Sequence, residues 1–412
     1  MEYGLIAEKL SHSFSKEIHN KLADYIYELK ELKKEELEAF ILKKEFKAIN
    51  VTIPYKEAVM PYLDEIDDKA RLIGSVNTIV NNNGKLYGYN TDFFGMKQLI
   101  LKNGIFLKDK KVLVLGSGGT AKTAFAVSKH LGANEIYYVS RSKTQTTVTY
   151  DEALKEHTDA HVIINTTPVG MFPDIDKTPI DLKLFKNLSA VIDVIYNPLK
   201  TQFLLNAEEL GIKAVGGLYM LVSQAKVACE YFLNKNIDDS MMEAVFKEIL
   251  SSKQNVVFVG MPSSGKSTVG KLVAEKLFRK FYDTDLLIFE KTGMTPAEII
   301  NGRGEKEFRE VESEVISEIS KLSGVVIATG GGAILNDKNI KNLKKNGLIW
   351  FIDRPIESLE TGPDRPLSSN KNQLIKRYNE RYPKYNACAD FVLKDFETPT
   401  LAAEQTVKDL CL

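Results

Sequence analysis

Residues 255–268 read NVVFVGMPSSGKST: an apolar run, a glycine-bounded loop, and the start of a helix-forming stretch. The pattern G-x-x-x-x-G-K-[ST] falls on Gly260, Gly265, Lys266 and Ser267, with Thr268 following. Between a strand and a helix, the amides of such a loop wrap the phosphates of a nucleoside triphosphate. The lysine reaches the outer phosphates and the hydroxyl ligates Mg²⁺. A second strand, glycine turn and helix start occupies residues 111–124, KVLVLGSGGTAKTA. There Gly116, Gly118 and Gly119 sit where a dinucleotide-binding fold lets its backbone approach a pyrophosphate. The strand after it, IYYV, ends in Ser140-Arg141-Ser142 with no acid. A guanidinium pairs with a ribose 2′-phosphate that a carboxylate would repel, so NADP is predicted over NAD. The two loops are of different types, so the chain holds two nucleotides and no internal repeat.

The bulk properties fit this. A chain of 412 residues accommodates two to four domains. Its 55 basic and 55 acidic residues balance, which points away from nucleic acid or an anionic membrane as a general partner. Cys229, Cys388 and Cys411 are too scattered for a disulfide framework or a zinc site. The N-terminus turns polar within a few residues and no apolar run is long enough for a bilayer. A reducing, cytoplasmic setting is expected. His12 and His19 lack the partners a metal site requires.

The elements alternate. YGLIAE and AINVTIP read as strands, and Ser15 to Leu29 as a helix with Ser15 as its N-cap. ARLIGSVNTIVNNNGKLYGYNT reads as strand, Asn83-Gly84 turn, strand. A helix begins near Phe93; KVLVLG, EIYYVSRS, AHVIINTTP and AVIDVIYNP follow as continuous apolar strands, suited to a parallel sheet covered on both faces. Val222 to Leu250 reads as helical, and SSKQN as a short polar linker. VVFVG, FYDTD, VVIATGGG and LIWFI are the strands of a last domain.

Seven stretches occur in order along residues 1–250: GLIAEKLSHSFSKEIHN, INVTIPYK, GSVNTIV, GYNTDFFG, NTTPVGM, DVIYNPLKT and GGLYMLVSQA. Together they resemble shikimate dehydrogenase. The resemblance implies NADPH-dependent reduction of 3-dehydroshikimate to shikimate. It implies that Lys56 protonates the developing alkoxide while Asp92 holds it, and that Ser11 and Ser13 bind the substrate carboxylate. It places Thr52, Asn77, Tyr196 and Gln224 around the ring hydroxyls and Met220 beside the nicotinamide. Only KTQTTVTYDEALKEHTDA separates Ser142 from the NTTP strand, so a cofactor domain trimmed at its adenine end is expected.

Beyond the triphosphate loop, FYDTD, GRGEKEFREVE, ATGGG, DRPLS and ERYPKY resemble shikimate kinase over residues 254–412. This implies transfer of the γ-phosphate of ATP, with Mg²⁺, to the 3-hydroxyl of shikimate. Asp283 and Asp285 are expected to project the same way from a strand, Asp283 near the metal with Ser267 and Asp285 at the reacting hydroxyl. The match implies that Arg309 and Arg381 clamp the carboxylate, Gly331 and Gly332 admit the ring to the backbone, and Arg365 supplies charge from a lid. That lid, RPIESLETGPDRPLS, is short; where the family often carries a further arginine it has Glu360-Thr361-Gly362-Pro363. Taken alone, Arg309 reads as a helical ion pair with Glu305 or Glu312.

The expected fold is α/β. A substrate domain (1–92), a Rossmann-like NADP domain (93–222) and C-terminal helices (223–250) form a two-domain dehydrogenase. A P-loop domain resembling nucleoside-monophosphate kinases (254–412) follows. The expected activity is bifunctional, with the product of the first site as the substrate of the second. A quinate-oxidising or NAD-preferring first half, or a sensor that binds these metabolites without turnover, are the alternatives. Retention of Lys56, Asp92, Lys266 and Asp285 argues against the sensor.

Overall fold

The computed structural model describes residues 1–10, 13–359 and 371–410. The chain divides into two compact units, Met1–Ile249 and Leu250–Leu412. Among the described residues no helix is long and apolar enough to cross a membrane.

Unit 1 contains two six-stranded sheets. The first comprises β1 (Tyr3–Ala7), β2 (Tyr27–Glu31), β3 (Ala48–Val51), β4 (Glu65–Ile66), β5 (Thr78–Asn82) and β6 (Lys85–Tyr89), in the order β2-β1-β3-β5-β6-β4. β5 runs antiparallel to both β3 and β6, while β1 pairs parallel with β2 and β3. Asn83 and Gly84, at φ +52° and +87°, make the tight turn that the Asn-Gly pair predicts. Two expectations fail here. The first helix is only Ser15–Leu22, with Phe14 at its cap and the Ser15 amide bonded to Ser13 Oγ at 3.3 Å. Ala23 is extended, and Tyr27 opens an edge strand, its ring fully buried and its hydroxyl donating to Asn50 Oδ1 at 2.7 Å. A single aromatic anchor thus overrides the helical periodicity. Likewise Asp68–Ile73 is a helix rather than a strand, because Asp67 caps it and Gly74, at φ +70°, ends it.

The second sheet comprises β7 (Lys111–Leu115), β8 (Glu135–Ser140), β9 (Thr147–Thr149), β10 (Val162–Asn165), β11 (Ala190–Asp193) and β12 (Lys213–Gly216), all parallel, in the order β12-β11-β10-β7-β8-β9. The interval after Ser142 does carry a strand and a helix, in shortened form: β9, then Tyr150–Glu156 opened by a Thr149–Glu152 capping box. The chain reverses between β7 and β10, which leaves a crevice at the carboxyl ends of the strands. Helix Leu218–Leu233 returns to the first sheet, where Ala228 and Phe232 pack on Leu5, Tyr27 and Ala48. It also lies so close to helix Asp92–Lys102 that a Cβ at Gly95 would stand 2.5 Å from the Met220 carbonyl oxygen. The helical stretch after Val222 is broken at Asn234, φ +47°, and resumes as Asp239–Lys253, so Ser251–Lys253 is a last helical turn and not a linker.

Unit 2 is one parallel sheet: β13 (Asn255–Val259), β14 (Phe281–Asp283), β15 (Val326–Ala328), β16 (Gly347–Ile352) and β17 (Phe391–Leu393), in the order β14-β15-β13-β16-β17. Apolar cores cover both faces, one around Val257, Ile327 and Phe351, the other around Val256, Phe258 and Trp350.

This packing has two consequences for stability. Asp193 is fully buried, accepting from Thr201 Oγ1 at 2.7 Å, Asn165 Nδ2 at 3.0 Å and the Ile195 amide at 3.1 Å. Burial outweighs these donors and pushes its carboxyl from 3.8 up to about 6. The folded chain therefore holds that proton more tightly than the unfolded one. The stabilisation is fully present below the unfolded value and is lost as pH rises through about 6. Asp193→Asn removes the charge and keeps the two bonds accepted by Oδ1, while the third reverses so that the amide donates to Thr201 Oγ1; it should stabilise unit 1 near pH 8 by about 3 kcal/mol at most. Its gain in hydrogen-exchange protection of β10 and β11 should shrink toward about pH 5. Separately, Phe278 ends helix Lys266–Leu277 at φ +53° and is 98 % exposed. Phe278→Gly should raise the melting temperature of unit 2, by about 0.5–1 kcal/mol of relieved strain.

Candidate active sites

In unit 1, Lys56 lies in the turn after β3 and Asp92 opens helix Asp92–Lys102. Lys56 Nζ donates to Asp92 Oδ2 at 2.7 Å, and both side chains are about nine-tenths buried. The carboxylate is committed to Lys56 and makes no helix cap; Thr91 precedes the first turn. Asn77 fixes that turn: its Oδ1 accepts from the Thr91 amide at 2.7 Å, and its Nδ2 donates to Thr91 Oγ1 at 3.0 Å. Gln224 Oε1 accepts from Thr91 Oγ1 at 3.1 Å and from Asn77 Nδ2 at 3.4 Å. Thr52 is half-buried just beyond β3, its amide bonded to the Ile6 carbonyl at 3.1 Å. Ser13 bonds the Tyr196 hydroxyl, which burial pushes above the usual tyrosine range, and Phe14 packs on the Tyr196 ring at 5.1 Å.

The glycine loop closes over this cluster from the cofactor lobe. Gly116 takes φ +116°, and a Cβ there would stand 2.7 Å from Thr166 Oγ1. Gly118 caps helix Gly119–His130, and Thr120 Oγ1 accepts from Lys56 Nζ at 3.4 Å. Ser140 ends β8 with its hydroxyl on the Ser142 carbonyl, and Arg141 beside it is exposed. Met220 is buried in the first turn of Leu218–Leu233. His19 has no part in this site. It stacks on Tyr27 at 3.9 Å, contacts Tyr25 and Cys229, and burial alone lowers its pKa to about 3.

In unit 2, a cavity of about 760 Å³ gathers Gly265, Lys266, Ser267, Thr268, Asp283, Asp285, Arg309, Gly331, Gly332 and Arg381. Gly260, at φ +150°, shapes the loop from below, where a Cβ would meet the Ile352 carbonyl oxygen at 2.7 Å. Lys266 Nζ folds over the loop, donating to the carbonyls of Met261 at 2.8 Å and Gly260 at 3.1 Å. Ser267 Oγ donates to Asp283 Oδ2 at 2.6 Å. The two aspartates do not share a strand as expected. β14 ends at Asp283, which caps helix Thr284–Thr292 by accepting the Asp285 amide at 3.0 Å, so Asp285 projects from a first helical turn. Burial, and then the Asp283 charge, push the Asp285 carboxyl up, opposed by Lys266 and Arg309.

Arg309 makes both helical ion pairs, with Glu312 at 2.7 Å and Glu305 at 3.1 Å. Glu312 is almost wholly buried and its Oε1 has no hydrogen-bond partner among the described residues. A Cβ at Gly332 would fall 2.3 Å from the Arg309 guanidinium nitrogens, and one at Gly331 would fall 2.7 Å from Pro262 Cδ. A side chain at either position would require Arg309 or Pro262 to shift. The Gly331 carbonyl accepts from Arg381 Nη1 at 3.0 Å and from the Tyr385 hydroxyl at 2.5 Å. Sequence reasoning names Glu312 as a partner of Arg309 but misses Thr91, Thr120 and Tyr385, although each lies within a motif quoted above. Ser11, His12, Arg365 and residues 360–363 lie outside the described residues.

Comparison with known proteins follows this division. The family model "Shikimate kinase" matches residues 262–411, and "Shikimate dehydrogenase substrate binding domain" matches residues 5–79. The shikimate dehydrogenase (NADP(+)) of Clostridium beijerinckii is 41 % identical over 260 residues, covering 59 % of this chain and 96 % of the relative. The crystal structure of shikimate dehydrogenase 1 from Peptoclostridium difficile is 36 % identical with a TM-score of 0.57, covering 60 % of this chain and 98 % of that one. Shikimate 5-dehydrogenase from Thermus thermophilus, solved with NADP(H) and shikimate, is 28 % identical with a TM-score of 0.54, covering 60 % and 99 %. The chain thus belongs to the shikimate dehydrogenase family, and it carries a shikimate kinase domain fused behind that enzyme.

Proposed function

We propose that unit 1 reduces 3-dehydroshikimate with NADPH and that unit 2 phosphorylates the shikimate so formed. The observation that carries this is the pairing of two site chemistries on one chain. One is a buried lysine–aspartate pair beside a dinucleotide-type loop. The other is a triphosphate loop sharing a cavity with two arginines and two aspartates, Asp283 and Asp285.

The residues present suit the groups they would hold. Gly116 and Gly119 leave backbone open where a Cβ would meet Thr166 and Ser75, and Ser140 and Arg141 stand at the strand end suited to a 2′-phosphate. In unit 2, Ser267 and Asp283 offer an all-oxygen donor set for Mg²⁺, and Gly265, Lys266 and Thr268 line the phosphate side. Bound NADPH supplies the hydride, and bound ATP with Mg²⁺ supplies the phosphoryl group and its charge neutralisation.

The chain does the rest. The Lys56 ammonium delivers a proton to the carbonyl oxygen as it becomes a hydroxyl, and Asp92 holds Nζ in place. Ser13, with Ser11, receives the substrate carboxylate, while Thr52, Asn77, Tyr196 and Gln224 orient the ring and Met220 walls the nicotinamide side. In unit 2, Asp285 accepts the proton of the 3-hydroxyl, a task its raised proton affinity favours. Arg309 and Arg381 hold the carboxylate against the Gly331–Gly332 backbone. Lys266 leaves its loop carbonyls for the transferred phosphoryl group, and Arg365 adds charge there.

Lys56→Ala should lower NADPH oxidation with 3-dehydroshikimate by about 10²- to 10⁴-fold and leave ADP formation on added shikimate unchanged. Lys266→Ala should do the reverse. Parallel absorbance and ADP assays on the full chain check both. Loss of both activities in either variant, with circular dichroism unchanged, would refute the division of labour. Silence of the wild type in both assays would refute the proposal.

A further inference from the structure

Lys56 and Glu57 are consecutive, and each reaches across to the cofactor lobe. Lys56 Nζ, already bonded to Asp92, also donates to Thr120 Oγ1 at 3.4 Å. Glu57 Oε2 pairs with Lys122 Nζ at 2.7 Å. Beside these contacts Gly119 packs on Ser75 and Lys56: a Cβ there would stand 2.7 Å from Ser75 Oγ and 3.6 Å from Lys56 Cβ. Gly119, Thr120 and Lys122 all lie in the opening turn of helix Gly119–His130, the turn that follows the glycine loop. On the dehydrogenase reading, the cofactor phosphates bind at that helix N-terminus.

We propose that Thr120 and Lys122 are positioning residues through which cofactor binding sets the pose of Lys56. The inference rests on the dehydrogenase reading above. An anion at the start of the helix fixes its first turn. That turn grips two neighbouring residues of the substrate lobe, one of which delivers the proton. Cofactor and substrate affinities are then linked, and by the same factor in either direction. The Glu57–Lys122 pair is half-exposed, so its share of the link is about two- to fivefold.

NADPH and shikimate are both on the reduced side and form a non-reacting pair. Titrating NADPH fluorescence on the full chain, without and with saturating shikimate, gives the coupling as a ratio of dissociation constants. Shikimate bound to the kinase domain does not enter, since the probe reports only the NADPH site. The ratio should exceed one in the wild type and fall by about two- to fivefold in Lys122→Met. It should survive in Lys122→Arg, and fall further when Thr120→Val is added to Lys122→Met. A merely structural contact would weaken both ligands together and leave the ratio alone. A ratio of one in the wild type, or one unchanged in both the single and double variants, overturns the proposal. Failure of the wild type to bind NADPH overturns the dehydrogenase reading and this inference with it.

Discussion

The dehydrogenase portion is organised around one ion pair, Lys56 with Asp92, 2.7 Å apart and largely withdrawn from water. Desolvating two charges is costly, and a pair of this kind persists only when the surrounding fold holds both partners in register. Three elements converge to do so: the turn after β3, the helix beginning at Asp92, and the helix beginning at Gly119. The antiparallel β3–β5–β6 portion of the first sheet supplies the rest of the support, because it brings Asn77 to the Thr91 amide and so fixes where the Asp92 helix starts. Removing either charge would strand the other. That is why the pair makes a sharper functional marker than either residue alone.

The two units share a placement rule. In each, polar groups gather at the carboxyl ends of parallel strands, where the connecting loops leave a crevice. Gly116 follows β7, Asn165 ends β10 and Asp193 ends β11; in unit 2, Gly260 follows β13, Asp283 ends β14 and Thr329 follows β15. The strands below are almost wholly apolar and buried on both faces, so chemistry is confined to their ends. Gly116 and Gly260 at these ends combine a positive φ with close approach to a neighbouring oxygen.

Much of this is legible in the sequence, because continuous apolar runs ending in glycine loops have few other readings. The four central strands of the second sheet, both loops and the Asn83-Gly84 hairpin follow from local pattern alone. What escapes depends on distant partners. Tyr27 is a strand residue because Asn50 and the β1 edge receive it. Asp285 leaves the strand because Asp283 caps a helix there. Thr120 shows no local sign of its contact with Lys56, which lies 64 positions away. Asp67 and Gly74, by contrast, are a readable cap and stop that the apolar pattern of their neighbours obscures.

The Arg309 guanidinium lies so close over Gly332 that the two positions behave as one unit of shape. A side chain at 332 would displace the arginine relative to its buried partner Glu312, while a shorter side chain at 309 would leave that carboxylate with Arg381 as its remaining cationic neighbour. A change at either position is therefore felt at the other. The two positions are thermodynamically coupled, so the stability effects of changing both should not add.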